Sequence, residues 1–112
     1  WGRDNPAFCR FCTHLFIPEG TPEQHRWWGD LERVTATAEV AAQLLSEMQG
    51  IDVLHLAAQL RVPTLIAHCR GDMRIPFEQG YKLAAAIPGA RFVPQESNNH
   101  VLLAGEPAWE VF

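Results

Sequence analysis

The sequence predicts the α/β class, and three observations predict it. A continuous apolar run of strand length, Pro63–Cys69, ends at Gly71-Asp72, and unbroken apolar runs suit parallel strands covered on both faces. A helix-like stretch opening at Pro76 leads into a second short strand, Arg91–Pro94. A strand–helix–strand crossover is parallel and right-handed in nearly all proteins. Before Gly50, by contrast, the apolar residues recur at helical spacing. The expected order is a helical segment, a parallel strand–helix–strand unit and a final helix.

Local signals justify each element. Thr21-Pro22-Glu23-Gln24 reads as a capping box with proline at the first helical position, so a helix is expected from Pro22 to about Val34. Thr37 can cap a second helix. Val40, Ala41, Leu44, Leu45 and Met48 give it an apolar face, and Gly50 follows as a stop. Asp52 can cap a short third helix running through Leu60. The helix after Pro76 presents Phe77, Tyr81, Leu83, Ala84 and Ile87 as its inner face, and Pro88-Gly89 ends it. Pro107 opens the last helix. The change of period places a division at Gly50–Asp52, giving segments 1–50 and 51–112.

Composition narrows the function classes. With 47% hydrophobic and 20% charged residues in 112, the chain has the make-up of an ordinary globular domain or a piece of one. A formal net charge of −4 gives no electrostatic reason to expect nucleic-acid binding. No apolar run approaches the roughly 20 residues that span a bilayer, so no membrane partner is expected. The chain opens on Trp1-Gly2-Arg3-Asp4, without an initiator Met or a leader pattern, and stops at Glu110-Val111-Phe112 within an expected helix. Both ends are therefore expected to be cuts through a longer polypeptide. Three cysteines, an odd number, favour free thiols in a reducing, cytoplasmic setting.

The chemistry concentrates between Val62 and His100. Parallel sheets bind ligands beyond the carboxyl ends of their strands, and Asp72 and His100 each follow a strand. An acid before a histidine is the second half of a nucleophile–acid–base series. Neutral His100 would take a proton from the nucleophile, while Asp72 would hold the other ring N–H and stabilise the imidazolium. No G-x-S-x-G occurs in the chain, so the nucleophile elbow is missing. Taken alone, Gly-Asp after a strand or Asn98-Asn99-His100 would read as turns. Ser97, without an elbow or oxyanion donors, is a poor substitute nucleophile.

Other groups have weaker claims. Cys9-Arg10-Phe11-Cys12 is formally C-x-x-C, with His14 and His25 nearby. It lies in the apolar run Phe8–Phe16, where the cysteines are expected to be small buried hydrophobes rather than zinc or redox ligands. His68 lies in the apolar strand and reads as a buried or edge histidine. Asp4, His14 and His25 can line a surface of the first segment. Of the adjacent Trp27 and Trp28, about 100° apart on a helix, one is expected to pack inward. No metal or cofactor is expected.

The stretch from Ile51 to Pro107, which begins IDVLHLAAQLRVPTLIAHCRGDMRIPFEQGYKLAAAIPGARFVPQESNNHVLL, resembles the C-terminal part of an α/β-hydrolase-fold domain. The shared pattern is a short helix, a strand beginning V-P-T-L and a G-D turn. An I-P opening the next helix, A-x-x-I-P-G-A, a strand and a histidine loop complete it. The resemblance implies a fragment of that fold. Asp72 would be the catalytic acid, His100 the catalytic histidine and residues 1–50 the cap above the active site. The wording is closest to bacterial domains joined to LuxR-type DNA-binding or cyclase modules.

Three functions remain open at this level. The parent domain could hydrolyse a small apolar substrate, as an esterase with a serine or a dehalogenase or epoxide hydrolase with an aspartate. It could instead be a non-catalytic ligand-sensing or interaction domain of a multidomain bacterial transcriptional regulator. The piece could also be a truncated product without autonomous activity. The open edge of the first strand predicts self-association of the isolated chain.

Overall fold

The computed structural model describes residues 6–111. Their order is α1 (Pro6–Phe16), α2 (Pro22–Thr35), α3 (Ala38–Gln49), α4 (Leu54–Ala57), β1 (Leu65–Cys69), α5 (Phe77–Ala86), β2 (Arg91–Gln95) and a 3₁₀ turn, Pro107–Val111. The class is α/β. Among the described residues the sheet has two strands, paired in parallel with Leu65 opposite Arg91 and Cys69 opposite Gln95. Both strands therefore end at the same rim. Asp4 and the rest of Trp1–Asn5 lie outside the described residues.

Local caps start the helices as the sequence predicts. Thr21 Oγ1 accepts from Gln24 N at 3.2 Å, and Gln24 Oε1 accepts from Thr21 N at 2.8 Å, closing the capping box of α2. Thr37 Oγ1 accepts from Val40 N at the start of α3. Asp52 Oδ1 accepts from Leu54 N, but α4 is one turn long and stops at Ala57, short of the expected Leu60. The last element is 3₁₀ rather than α; five residues seldom sustain a longer ladder.

Packing departs from expectation in three places. The apolar stripe of α3 lies open, with Leu44 55% and Met48 59% exposed, and only Ala41 is buried. On α5, Phe77 and Ala84 are half-buried and Ile87 is buried, whereas Tyr81 and Leu83 face solvent. Tyr81 keeps only an edge-on ring contact with Phe92, 5.9 Å between centroids. β1 is not covered on both faces: Leu65 is 52% exposed, and burial rises along the strand to Cys69. A stripe needs a facing surface to be buried, and α5 supplies one to β1 and β2 while α1 pairs with α2. The shape is only 19 Å deep in its thin direction, and the small core consists of Ile17, Ala41, Ala57, Cys69, Ile87 and Ala108.

Candidate acid–base site

At the carboxyl ends of β1 and β2 the chain brings its candidate acid and histidine together. His100 Nδ1 lies 2.7 Å from Asp72 Oδ2, across 28 residues of sequence. A carboxylate only accepts, so Nδ1 carries the proton and Nε2 keeps the lone pair. The other carboxylate oxygen, Oδ1, accepts from Arg74 N at 2.8 Å and Ile75 N at 2.9 Å. These backbone bonds exist because the chain turns sharply after Gly71-Asp72, an aspartate turn in which the side chain caps its own loop. Burial works against ionisation of Asp72. The N–H groups of Ile75, His100 and Arg74 outweigh it and hold the carboxyl below its usual range.

The histidine loop is fastened on two sides. On one, Glu106 accepts from Ser97 Oγ at 2.6 Å, Asn99 Nδ2 at 2.8 Å and Leu103 N at 2.5 Å. Burial again opposes ionisation, and these three donors win, so the Glu106 carboxyl is also lowered. On the other side, the segment after α1 reaches across. The Phe16 carbonyl accepts from His100 N and Val101 N at 2.8 and 3.2 Å. Glu19 accepts from Asn98 Nδ2, and Asn99 Oδ1 accepts from Glu19 N at 2.9 Å. The Phe16 ring meets the His100 ring edge-on at 5.4 Å and stacks on Trp28.

Gly71 makes this fit possible. A Cβ there would overlap the Asn98 carboxamide and meet Asn98 Cα at 3.0 Å, so the turn of β1 and the histidine loop approach more closely than any side chain allows. Beside the pair lies a cavity of about 300 Å³, lined by His68, Cys69, Asp72, Gln95, His100 and Leu102 among others. Gln95 is 1% exposed, and neither polar atom of its side chain has a hydrogen-bond partner among the described residues. Burial, then the negative charges of Asp72 and Glu106, push the Cys69 thiol up against the opposing Ser97 hydrogen bond, so it is a poor nucleophile.

The remaining candidates separate plainly. Ser97 is 8% exposed and spends its hydroxyl proton on Glu106. Cys9 and Cys12 lie within α1 and are half-buried rather than fully buried, so their expected role as core hydrophobes is only partly met. Burial, and next the charge of Glu32, raise the Cys12 thiol. The C-x-x-C is inside a helix, not at a helix start after a strand, which removes the thioredoxin geometry. His14 and His25 pack their rings 4.5 Å apart, each with one nitrogen on a backbone carbonyl. Among the described residues no three His, Cys, Asp or Glu side chains converge as metal ligands. Trp28 packs against Phe16 and Trp27 is 56% exposed. Among the described residues no helix is long and apolar enough to cross a membrane.

Sequence reasoning read His68 only as a buried or edge histidine and passed over three further groups. His68 reaches the acid, with Nε2 3.2 Å from Asp72 Oδ2. Glu106, Asn99 and Glu19 hold the loop. The Glu19 contacts span 79 and 80 residues, whereas His68 and Glu106 act on residues three to nine positions away, without a recognised motif to mark them.

No family profile matches the chain, and no solved structure matches it. Among curated proteins it is similar to the one named "Putative carbamate hydrolase RutD" from Pseudomonas savastanoi pv. phaseolicola (strain 1448A / Race 6), at 37% identity over 60 residues. That match covers 54% of this chain and 23% of the relative. The chain thus matches under a quarter of the relative's length, and the likeness supports a hydrolase-related α/β segment.

Proposed function

We propose that this chain is the C-terminal part of an α/β-hydrolase-type domain, supplying Asp72 as acid and His100 as base for hydrolysis of a small ester- or carbamate-type substrate. One observation carries the reading: the 2.7 Å bond between His100 Nδ1 and an Asp72 oxygen whose partner oxygen is held by two backbone N–H groups. That arrangement sets the imidazole tautomer and leaves Nε2 to take a proton. The relative's printed name, a carbamate hydrolase, supports the substrate class.

In this reading His100 Nε2 accepts the nucleophile's proton as the nucleophile attacks the carbonyl. Asp72 stabilises the resulting imidazolium, and His100 returns the proton to the leaving group. Residues 1–50 act as a cap and 51–112 as core, with the Phe16–Glu19 segment bracing the histidine loop from the cap side. Ser97 and Cys69 are committed elsewhere, so the nucleophile comes from outside these 112 residues.

The test is turnover of an activated ester and an aryl carbamate by the natural polypeptide that carries this segment. His100→Ala and Asp72→Asn are each expected to lower kcat/KM by about 100-fold or more. The 112-residue chain alone is expected to show no His100-dependent turnover. Unchanged turnover in both variants overturns the assignment.

A further inference from the structure

The Asp72 carboxylate has room for about four donors, two on each oxygen. Three are hydrogen bonds already described: Arg74 N and Ile75 N on Oδ1, and His100 Nδ1 on Oδ2. His68 lies against Oδ2 as well, in polar contact without a fourth aligned hydrogen bond. Its Nε2 lies 3.0 Å from the Ile75 carbonyl oxygen and 3.2 Å from Asp72 Oδ2. Both neighbours only accept, so the proton of a neutral His68 belongs on Nε2. The opposite ring edge is packed against α5. Nδ1 abuts Gly80, where a Cβ would meet His68 Cγ at 2.9 Å and Cβ at 3.0 Å. Phe77 closes on the ring edge-on at 5.8 Å. His68 is 89% buried by its side chain (11% exposed), against 30% exposure for His100. The two imidazoles therefore differ in kind: His100 has a lone-pair nitrogen to offer, and His68 has none facing a reactant.

We propose that His68 is a positioning residue that acts through Asp72, its Nε2–H, bonded to the Ile75 carbonyl, lying 3.2 Å from the same oxygen that binds His100 and so limiting how strongly that oxygen holds the His100 proton. This deepens the acid–base reading and rests on it for its functional meaning, but the contact it invokes can be measured without any turnover. Gly80 belongs to the device, because only a residue without a side chain lets α5 come down on the His68 ring. Cys69, Gln95 and Leu102 line the cavity beside the three side chains, and the other groups around them are few. From α5 they are Phe77 and Gly80, both uncharged. From the loops they are the backbone N–H groups of Arg74 and Ile75. From α1 it is Phe16, with the Arg74 guanidinium 5.8 Å from its ring. Arg70, over the far side of Phe77, is paired with Glu96 at 2.7 Å, and Glu106 is occupied by the loop it holds.

The experiment is nuclear magnetic resonance on the 112-residue chain with ¹⁵N-labelled histidine at neutral pH. Ring nitrogen shifts, read through the carbon-bound ring protons, are expected to show His68 as the Nε2–H tautomer and His100 as Nδ1–H. In His68→Phe the ring packing survives but the donor is gone. The His100 Nδ1 signals are then expected to move in the direction of a stronger hydrogen bond, with the attached proton shifted downfield. His68→Gln restores an N–H near the Nε2 position and is expected to return the signals to their wild-type place. A purely space-filling role predicts the reverse ranking, with Phe tolerated and Gln disturbed. His68 found as the Nδ1–H tautomer, or His100 signals identical in wild type and His68→Phe, overturns the proposal. If His68→Phe fails to fold by circular dichroism, His68→Leu carries the same comparison. Failure of the hydrolytic reading would show instead as turnover insensitive to His100→Ala, with these signals unaffected.

Discussion

Asp72 Oδ2 and His100 Nδ1, 2.7 Å apart, tie the end of β1 to the loop after β2. Asp72 is thereby both a candidate catalytic acid and a structural link between the two strands. The same carboxylate braces its own turn through Arg74 N and Ile75 N.

Acid should loosen the fold through Asp72 and Glu106. Both carboxyls titrate below their ordinary values of 3.8 and 4.5. Their contribution is therefore complete above those values and disappears as pH falls through the lowered ones. Urea unfolding midpoints are expected to drop below about pH 4. Asp72→Asn should cost about 1–3 kcal/mol at pH 7 and flatten the acid limb. An equally steep acid limb in Asp72→Asn would remove Asp72 as a source of it.

Glu106 is expected to matter more than its place in a loop suggests. Glu106→Ala strips partners from Ser97, Asn99 and Leu103 together, at a cost of about 2–4 kcal/mol. Hydrogen exchange at the Leu103 amide should rise in step. Protection that survives the substitution would mean that the Phe16 and Glu19 contacts hold the loop without it.

Gly71→Ala tests the close approach of turn and loop. The new Cβ would meet the Asn98 backbone as well as its side chain, so a rotamer change cannot relieve it. Loss of about 1–3 kcal/mol is expected, together with a weakened Asp72–His100 bond seen in the His100 ring nitrogen shifts. A neutral substitution would show that the two segments are further apart than 3.0 Å contact requires.

Gln95 runs the other way. Its carboxamide is buried with no partner among the described residues, a state that costs about 1–3 kcal/mol. Gln95→Met keeps much of the volume without the polar atoms and should raise the melting temperature of the 112-residue chain. A lower melting temperature would show that the carboxamide has a partner in solution.

The free edge of β1 should drive association. A two-stranded sheet is marginal alone, and Leu65, at the start of β1, is 52% exposed. We expect the isolated chain to self-associate at micromolar concentration in sedimentation velocity. Ala67→Pro would test the edge, since in this register the Ala67 N–H points away from β2 and the substitution removes that donor. A strictly monomeric species with a cooperative melt would mean that the edge is satisfied within the chain.

Much of this protein was legible from residues near one another in sequence. Thr21 and Gln24, Thr37 and Val40, and the run ending at Cys69 mark elements whose stabilising contacts lie within a few residues. The parallel pairing and the shared rim for Asp72 and His100 follow from chain direction, because a crossover leaves two strands pointing the same way. Burial was legible only in part. Periodicity names a face for α3 and α5, but a face is buried only where another surface meets it, so Leu44, Met48, Tyr81 and Leu83 stay in solvent. The support of the acid–base pair mixes near and distant contacts, and no periodicity or motif marks either. Glu19 and Asn99 meet across 80 residues, Glu106 gathers three donors from one loop, and His68 comes onto Asp72 because Gly80 lets α5 settle on its ring. The Glu19 contacts and the approach of α5 to His68 exist only once the chain has closed, since contacts between separate elements depend on three-dimensional approach rather than on spacing.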